Sequence, residues 1–279
     1  MTEVFFDPPR CDAAWRGKIY NGDIIILSPT PEMLALVEHT RGMIEEAFAP
    51  RDLQRAHESL AVERCAEILS ALKPSYIHYP RTKKLIQRVL NAFGCSSEKT
   101  YQDVPRLRCA FPKDYLTTGI AYAHHPHHDT WHSAPMCQFN WWAPIYEFVS
   151  HNGMAFHPRY WDQAVRIGSR DFNYYRWNAE SRKNAAQHIG RDTRVQPHAE
   201  EIRWNSSRTS GLSCRRTASS FSPERSSAGY SFVTRRQCGL PSALRILSTS
   251  ASPVSEDRMR FAYLIWMRDL IYRNVGYRH

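Results

Sequence analysis

The sequence predicts an α+β protein whose second half is mainly β, and two patterns carry that expectation. Between Thr30 and Gly94, apolar residues recur at helical spacing. From about residue 100, short alternating runs are separated by turn signals, the pattern of an antiparallel sandwich or barrel. A third observation concerns function: five of the thirteen histidines, His124, His125, His127, His128 and His132, fall within nine residues together with Asp129.

Residues 1–30 read as short extended pieces and turns, with a turn at Tyr20-Asn21-Gly22-Asp23 and a buried strand at Ile24-Ile25-Ile26-Leu27. Thr30-Pro31-Glu32 opens a helix: a cap, a proline at the first helical position and an acid in the first turn. That helix runs to about Phe48, with Met33, Leu36, Val37, Met43, Ile44 and Phe48 on its apolar face and Glu45 and Glu46 in solvent. A second helix is expected over Leu53 to Leu72, and a third over Thr82 to Leu90, closed by Gly94. The basic residues of the third make a wet face.

After residue 100, strands are expected at Val104–Ala110, Tyr115–Tyr122, Gln138–Trp142, Ile145–Phe148 and Met154–His157, with a turn at Asn152-Gly153. Residues 158–194 read as a long insertion with a helix around Ala179 to Ile189, and loops of that length are usually functional. The apolar run Leu264-Ile265-Trp266-Met267 near the end reads as a short helix. Three regions follow: 1–100, a helical and strand support; 101–202, a β core with the insertion; and 203–279, an aberrant tail expected to stay disordered.

The 279 residues contain no apolar run of about 18, so no membrane span is expected, and the start lacks the basic-then-apolar layout of a signal peptide. Seven scattered cysteines without a CxxC pair suit reduced thiols in the cytoplasm. The net charge of +10 suggests nucleic acid, but its distribution argues against that partner. Residues 203–279 hold thirteen arginines, no lysine and four acidic residues, and so carry nine of the ten net positive charges. A phosphate-binding surface normally mixes both basic residues.

Within the cluster, Pro126 and Pro135 oppose a long helix. His127 and Asp129, two residues apart on an extended chain, face the same side. An imidazole and a carboxylate are two thirds of the facial triad of non-haem Fe(II) oxygenases. The competing reading is a polar loop with surface histidines.

The stretch from Val104 to about Pro197 resembles the phytanoyl-CoA dioxygenase-like group of Fe(II)/2-oxoglutarate oxygenases. The resemblance is carried by AHHPHHDTWHSAPMCQFNWWAPIY, NGMAFHPRYW and GSRDFNYYRWNAE. It implies a double-stranded β-helix (a cupin-like jelly roll) with helices packed outside. It also implies Fe(II) held by His127 and Asp129, with His125 or His128 as alternative imidazole ligands. Gln138 and Asn140 are then expected to face the co-substrate, 2-oxoglutarate, and the reaction is hydroxylation of a small organic substrate. Trp141 and Trp142 are core or substrate wall, and His157 is structural.

The family pattern also needs a distal histidine and an arginine that clamps the far carboxylate of the keto acid. After residue 198 the one histidine is His279. The genetic code offers a reason. Permitted codons for Trp204 to Ser226, read two bases later, give ELEPDIRLVVPPDGIILFSGAQL, a turn and buried strand of the family's kind. A similar shift of Arg245 to Ala251 gives YSLDFR. No histidine is recovered at Ala228. A chain out of frame from about Ile202 also explains the fifteen serines, thirteen arginines and missing lysines of 203–279. The expected protein is thus a dioxygenase-like chain lacking its distal ligand. Its rivals are a non-catalytic cupin-like binding module and a basic nucleic-acid-binding protein.

Overall fold

The computed structural model describes residues 3–98, 100–111, 115–121, 139–146, 154–156, 166, 168, 172–195, 210–211, 232–236, 246–248 and 262–266. The chain begins with strand β1 (Val4–Phe6), helix α1 (Asp12–Tyr20) and strand β2 (Ile24–Leu27). Helices α2 (Pro31–Phe48), α3 (Ala56–Ser59), α4 (Val62–His78) and α5 (Pro80–Ala92) follow, then strands β3 (Arg106–Cys109), β4 (Phe139–Pro144) and β5 (Met154–Phe156). A short helix α6 (Tyr174–Arg176) continues into a π-helical turn, Trp177–Ser181. The described tail residues are strands β6 (Ser210–Gly211), β7 (Phe232–Arg236), β8 (Ile246–Ser248) and β9 (Ala262–Trp266).

Two sheets result. The larger has the order β1-β2-β7-β4-β9-β3, and the smaller the order β6-β5-β8. All pairings are antiparallel except β1 with β2. Leu264, Ile265 and Trp266, expected within a short helix over 264–267, lie instead in strand β9, paired with β4 and with β3. Tyr, Leu, Ile and Trp in succession suit a pleated surface, and the two flanking ladders settle the choice that the apolar run left open.

The helices form as their caps and stripes dictate. Thr30 caps α2, its Oγ1 accepting from the Met33 N–H at 3.3 Å, with Pro31 in the first turn. Met33, Leu36, Val37, Ile44 and Phe48 are buried, while Glu45 and Glu46 are exposed. In α5, Leu85, Ile86, Val89 and Leu90 face inward and Lys83, Lys84 and Arg88 face water. Gly94, at φ +81°, ends it: its N–H reaches Asn91 O at 2.9 Å and the Cys95 N–H reaches Leu90 O at 3.0 Å. This is the paired bonding of a Schellman cap, which needs a left-handed residue at that point.

Two helical expectations are corrected, and one helix was not foreseen. The second helix is not continuous over 53–72; it breaks at Leu60-Ala61 and then runs from Val62 past Pro74 to His78. The buried Leu60 turns its carbonyl to the Tyr115 hydroxyl, which donates at 2.7 Å and replaces the lost helical bond. Buried Leu72 and Tyr76 hold the chain helical on both sides of the proline. Helix α1 was not expected, because its apolar signal is only the pair Trp15 and Ile19, 3% and 2% exposed. Around 179–189 the chain forms the π turn and a 3-10 turn at Ala185–Gln187 instead of one helix. The described part of 115–122 is likewise not a strand but bends leading into a 3-10 turn at Gly119–Ala121.

The core lies between the helices and one face of the larger sheet. Ile25, Leu27, Leu107, Cys109, Trp141 and Ala143 supply the sheet side, and Met33, Leu36, Leu69, Ile86 and Val89 are among the helix side. Phe93, just past α5, bridges Trp15 of α1 and Trp141 of β4, with ring centroids 6.3 and 5.3 Å away. Inside this core sits one polar pair. Thr40 Oγ1 lies 2.7 Å from Leu36 O and 3.2 Å from the Tyr76 hydroxyl. The threonine proton goes to the carbonyl, so the tyrosine donates to Thr40 Oγ1.

Thr40→Val should therefore destabilise more than Tyr76→Phe. The first leaves a buried phenol hydroxyl unsatisfied, at about 1–3 kcal/mol, and the second removes both the donor and its need, at about 1 kcal/mol. Urea unfolding of the two variants checks the order.

Candidate functional site

Strand β4 organises the candidate site. It lies inside the larger sheet, paired with β7 on one side and β9 on the other. Because side chains alternate, Trp141 and Ala143 enter the helix-side core, and Asn140 and Trp142 turn to the opposite face. Both are nonetheless buried, at 3% and 5% exposed. A strand covered on both faces with an amide on the second one is not simple core. Asn140 supplies a donor and an acceptor beside the indole wall of Trp142.

The register extends this face sideways. Trp142 is level with Val233 of β7 and Ile265 of β9; Val233 is level with Ile26, and Ile265 with Arg106. Asn140 is level with Arg235. The row Ile26–Val233–Trp142–Ile265–Arg106 thus runs from an apolar strand to a cationic edge strand. Arg106 and Arg108 are half-buried, in alternation with the buried Leu107 and Cys109. The Arg106 guanidinium is 3.8 Å from the Asp103 carboxylate, a loose pairing at a partly wet position. The alternation of Arg-Leu-Arg-Cys is a signal the sequence contained, but without the strand order nothing placed it level with Trp142.

His127, Asp129 and Gln138, and with them His124, His125, His128 and His132, lie outside the described residues, as does His157. Asn140 is described, and it lies on the face of β4 that Trp142 shares. Among the described residues no group of three or more His, Cys, Asp or Glu side chains could hold a metal. No helix among them is long and apolar enough to cross a membrane.

Gly119–Ala121 precede the histidine cluster in the chain and Phe139 follows it. Lys73 is tied to the preceding residues. Its amine donates to the carbonyl oxygen of Ile120. The residue is half-buried, but the amine itself is enclosed, and this burial pulls its pKa down from 10.5 to about 8. The Cys109 thiol acts against that shift and Arg108 adds to it. Cys65 and Cys109 are both buried, and burial pushes the Cys65 thiol up to about 12. These thiols are therefore weak nucleophiles at neutral pH, and their part is packing.

No family model, no curated protein and no solved structure matches this chain.

The enclosed Lys73 gives a pH signature. Its folded pKa of about 8 lies below the ordinary 10.5, so over that interval the unfolded chain binds more protons and stability rises with pH. Below pH 8 the full cost of burying the charged amine is present. Wild type should therefore gain stability relative to Lys73→Met between pH 7.5 and 9.5. Urea unfolding of both proteins across that range checks it, and a constant difference would show that the amine is not enclosed.

Proposed function

We propose that this chain is an Fe(II)/2-oxoglutarate-dependent oxygenase of the phytanoyl-CoA dioxygenase-like kind, built on a double-stranded β-helix and acting on a small organic substrate in the cytoplasm. His127 and Asp129 are the iron ligands, and Gln138 and Asn140 face the co-substrate. The observation that supports this best is the buried pair Asn140 and Trp142 on the face of β4 opposite Trp141 and Ala143, the strand that follows His127-x-Asp129 in the chain. A few polar groups set into an apolar wall are the usual make-up of a small-molecule site. The scattered cysteines, among them the free thiols of Cys11, Cys65 and Cys109, suit the cytoplasmic setting.

In this reading the chain contributes one imidazole, one carboxylate and an amide-bearing wall. Bound Fe(II) would supply activation of dioxygen together with 2-oxoglutarate for hydroxylation of a C–H bond. Asn140 orients the co-substrate by hydrogen bonding, and Trp142 and Ile26 exclude water from that side. Two protein ligands hold iron loosely, because the distal histidine and the clamping arginine belong to the part of the gene that is out of frame beyond about residue 202. The same deficit favours a second reading, a non-catalytic cupin-like module that binds a metal or small ligand through the histidine cluster.

Anaerobic calorimetry should give weak Fe(II) binding that Asp129→Ala abolishes, and the chain as written should not turn over 2-oxoglutarate. Tight binding or robust turnover by this chain would show that other residues complete the site.

Sequencing the gene around codon 202 and expressing the single-base repair should restore conversion of 2-oxoglutarate to succinate. Codons incompatible with the shifted peptide would end the frameshift account. An intact-frame protein that binds Fe(II) without turnover would favour the binding module.

A further inference from the structure

A cleft of about 370 Å³ opens where the start of α2 meets the end of α5, lined by Glu32, Arg88, Asn91 and Ala92. The two helices run in opposite directions there. Glu32 of α2 stands near the last turn of α5, and His39, about two turns further along α2, meets Thr82 in the first turn of α5 at 3.0 Å.

The α2 wall carries a fixed anion. Hydrogen bonds from its own backbone N–H and from the Thr30 hydroxyl, and then the charges of Arg10 and Arg88, hold the Glu32 carboxyl below the ordinary range. The carboxylate is therefore charged throughout the neutral range. Arg10 finishes the far end of α5. Its Nη1 donates to the Ala92 carbonyl at 3.0 Å, and its guanidinium lies 5.5 Å from the Phe93 ring centre. One of the carbonyls that a helix end leaves open is thereby satisfied.

The α5 wall carries groups with nothing to do in the fold. Arg88 and Asn91, three residues apart, project from one face of the helix, and both are exposed. Among the described residues neither side chain has a hydrogen bond or an ion pair. Arg88 acts on Glu32 through its charge, yet the two do not close into an ion pair, and the cleft lies where they would meet. A simple anion drawn to Arg88 would be repelled by Glu32, and a simple cation drawn to Glu32 would be repelled by Arg88. A molecule bearing both charges satisfies both walls.

From this we propose that the cleft between α2 and α5 binds a small zwitterion of the α-amino-acid type. The Arg88 fork and the Asn91 amide donate to its carboxylate, and Glu32 accepts from its ammonium. Ala92, with only a methyl side chain, leaves room for a short ligand side chain. The site does not rest on the reading of the chain as an oxygenase. Both charged walls stay in contact with water, so half-saturation is expected on the order of millimolar.

The test follows the Asn91 and Ala92 amide signals of the full chain by NMR at constant ionic strength. L-alanine is the probe, and acetate and ethylammonium each carry one of its two charges. L-alanine should shift both signals saturably, and each single-charge probe should need about fivefold more or greater for the same shift. Arg88→Gln and Glu32→Gln should each raise the L-alanine half-saturation by about the same factor. Lys84→Gln removes an equal charge from α5 one turn earlier and should leave it unchanged. Glu32 lies in the first turn of α2, so cooperative thermal unfolding is measured on that variant. If it does not fold, Arg88→Gln and the single-charge probes decide the matter. Acetate matching L-alanine would overturn the zwitterion in favour of a plain anion site. Equal losses in Lys84→Gln and Arg88→Gln would reduce the effect to the general field of a basic helix. The absence of a saturable shift with L-alanine would overturn the site itself.

Discussion

The described structure depends on a constraint at β4: an inner strand must satisfy a ladder on each side and a layer on each face. The ladders come from β7 and β9, whose residues are separated from β4 by at least 88 positions in the chain, the distance from Pro144 to Phe232. The helix-side face is closed by Trp141 against Phe93, and Phe93 in turn against Trp15. This aromatic succession joins α1, the end of α5 and the sheet, and it works because the Gly94 cap stops α5 where Phe93 can turn inward. Arg41 of α2 completes the tie, donating to the Ile145 carbonyl just past β4 at 2.9 Å and lying 5.3 Å from the Tyr146 ring. With its helix side so fully occupied, β4 can present Asn140 only to the other face, and the polar character of the site follows from that division.

Three sets of enclosed polar groups among the described residues are handled differently, and each has a different consequence. Thr40 and Tyr76 satisfy one another inside the helical layer and fix how α2 and α4 face each other. Lys73 is enclosed beside a carbonyl, so its charge is costly and its affinity for the proton falls. Asp192 and Arg194 neutralise one another and still have donors and an acceptor to spare for Gly119. The first arrangement stabilises packing, the second makes stability depend on pH, and the third converts charge into position. The last two touch Gly119 and Ile120, which precede the histidine cluster in the chain.

Much of the helical half was legible in the sequence, since the relevant signals are local. Thr30-Pro31, the stripe from Met33 to Phe48 and Gly94 each act within a few residues, and the caps and faces of α2 and α5 follow from them. Ile24–Leu27 was equally plain, because a short run of branched apolar residues bounded by turns can hardly be anything but a buried strand. Where two non-local contacts competed with a local pattern, the pattern misled. The bond from Tyr115 lets the chain break at Leu60, and neighbouring strands draw 264–266 out of the helical form its apolar run suggested. Helix α1 left too narrow a stripe to be read, as only Trp15 and Ile19 carry it.

By itself, the sequence determined the local grammar of this protein and the chemistry it can offer: which segments start and stop helices, and an imidazole and a carboxylate two residues apart. It also determined that Asn140 and Trp142 share a face, because alternation in a strand is a property of the backbone. Tertiary structure alone decided that this face is buried, that Arg106 lies level with Trp142 across β9, and that Gly119 meets Asp192 and Arg194. The physical reason is the same in each case. Strand order and the meeting of distant loops are set by which surfaces exclude water together, a balance struck over the whole chain and written at no single stretch of it.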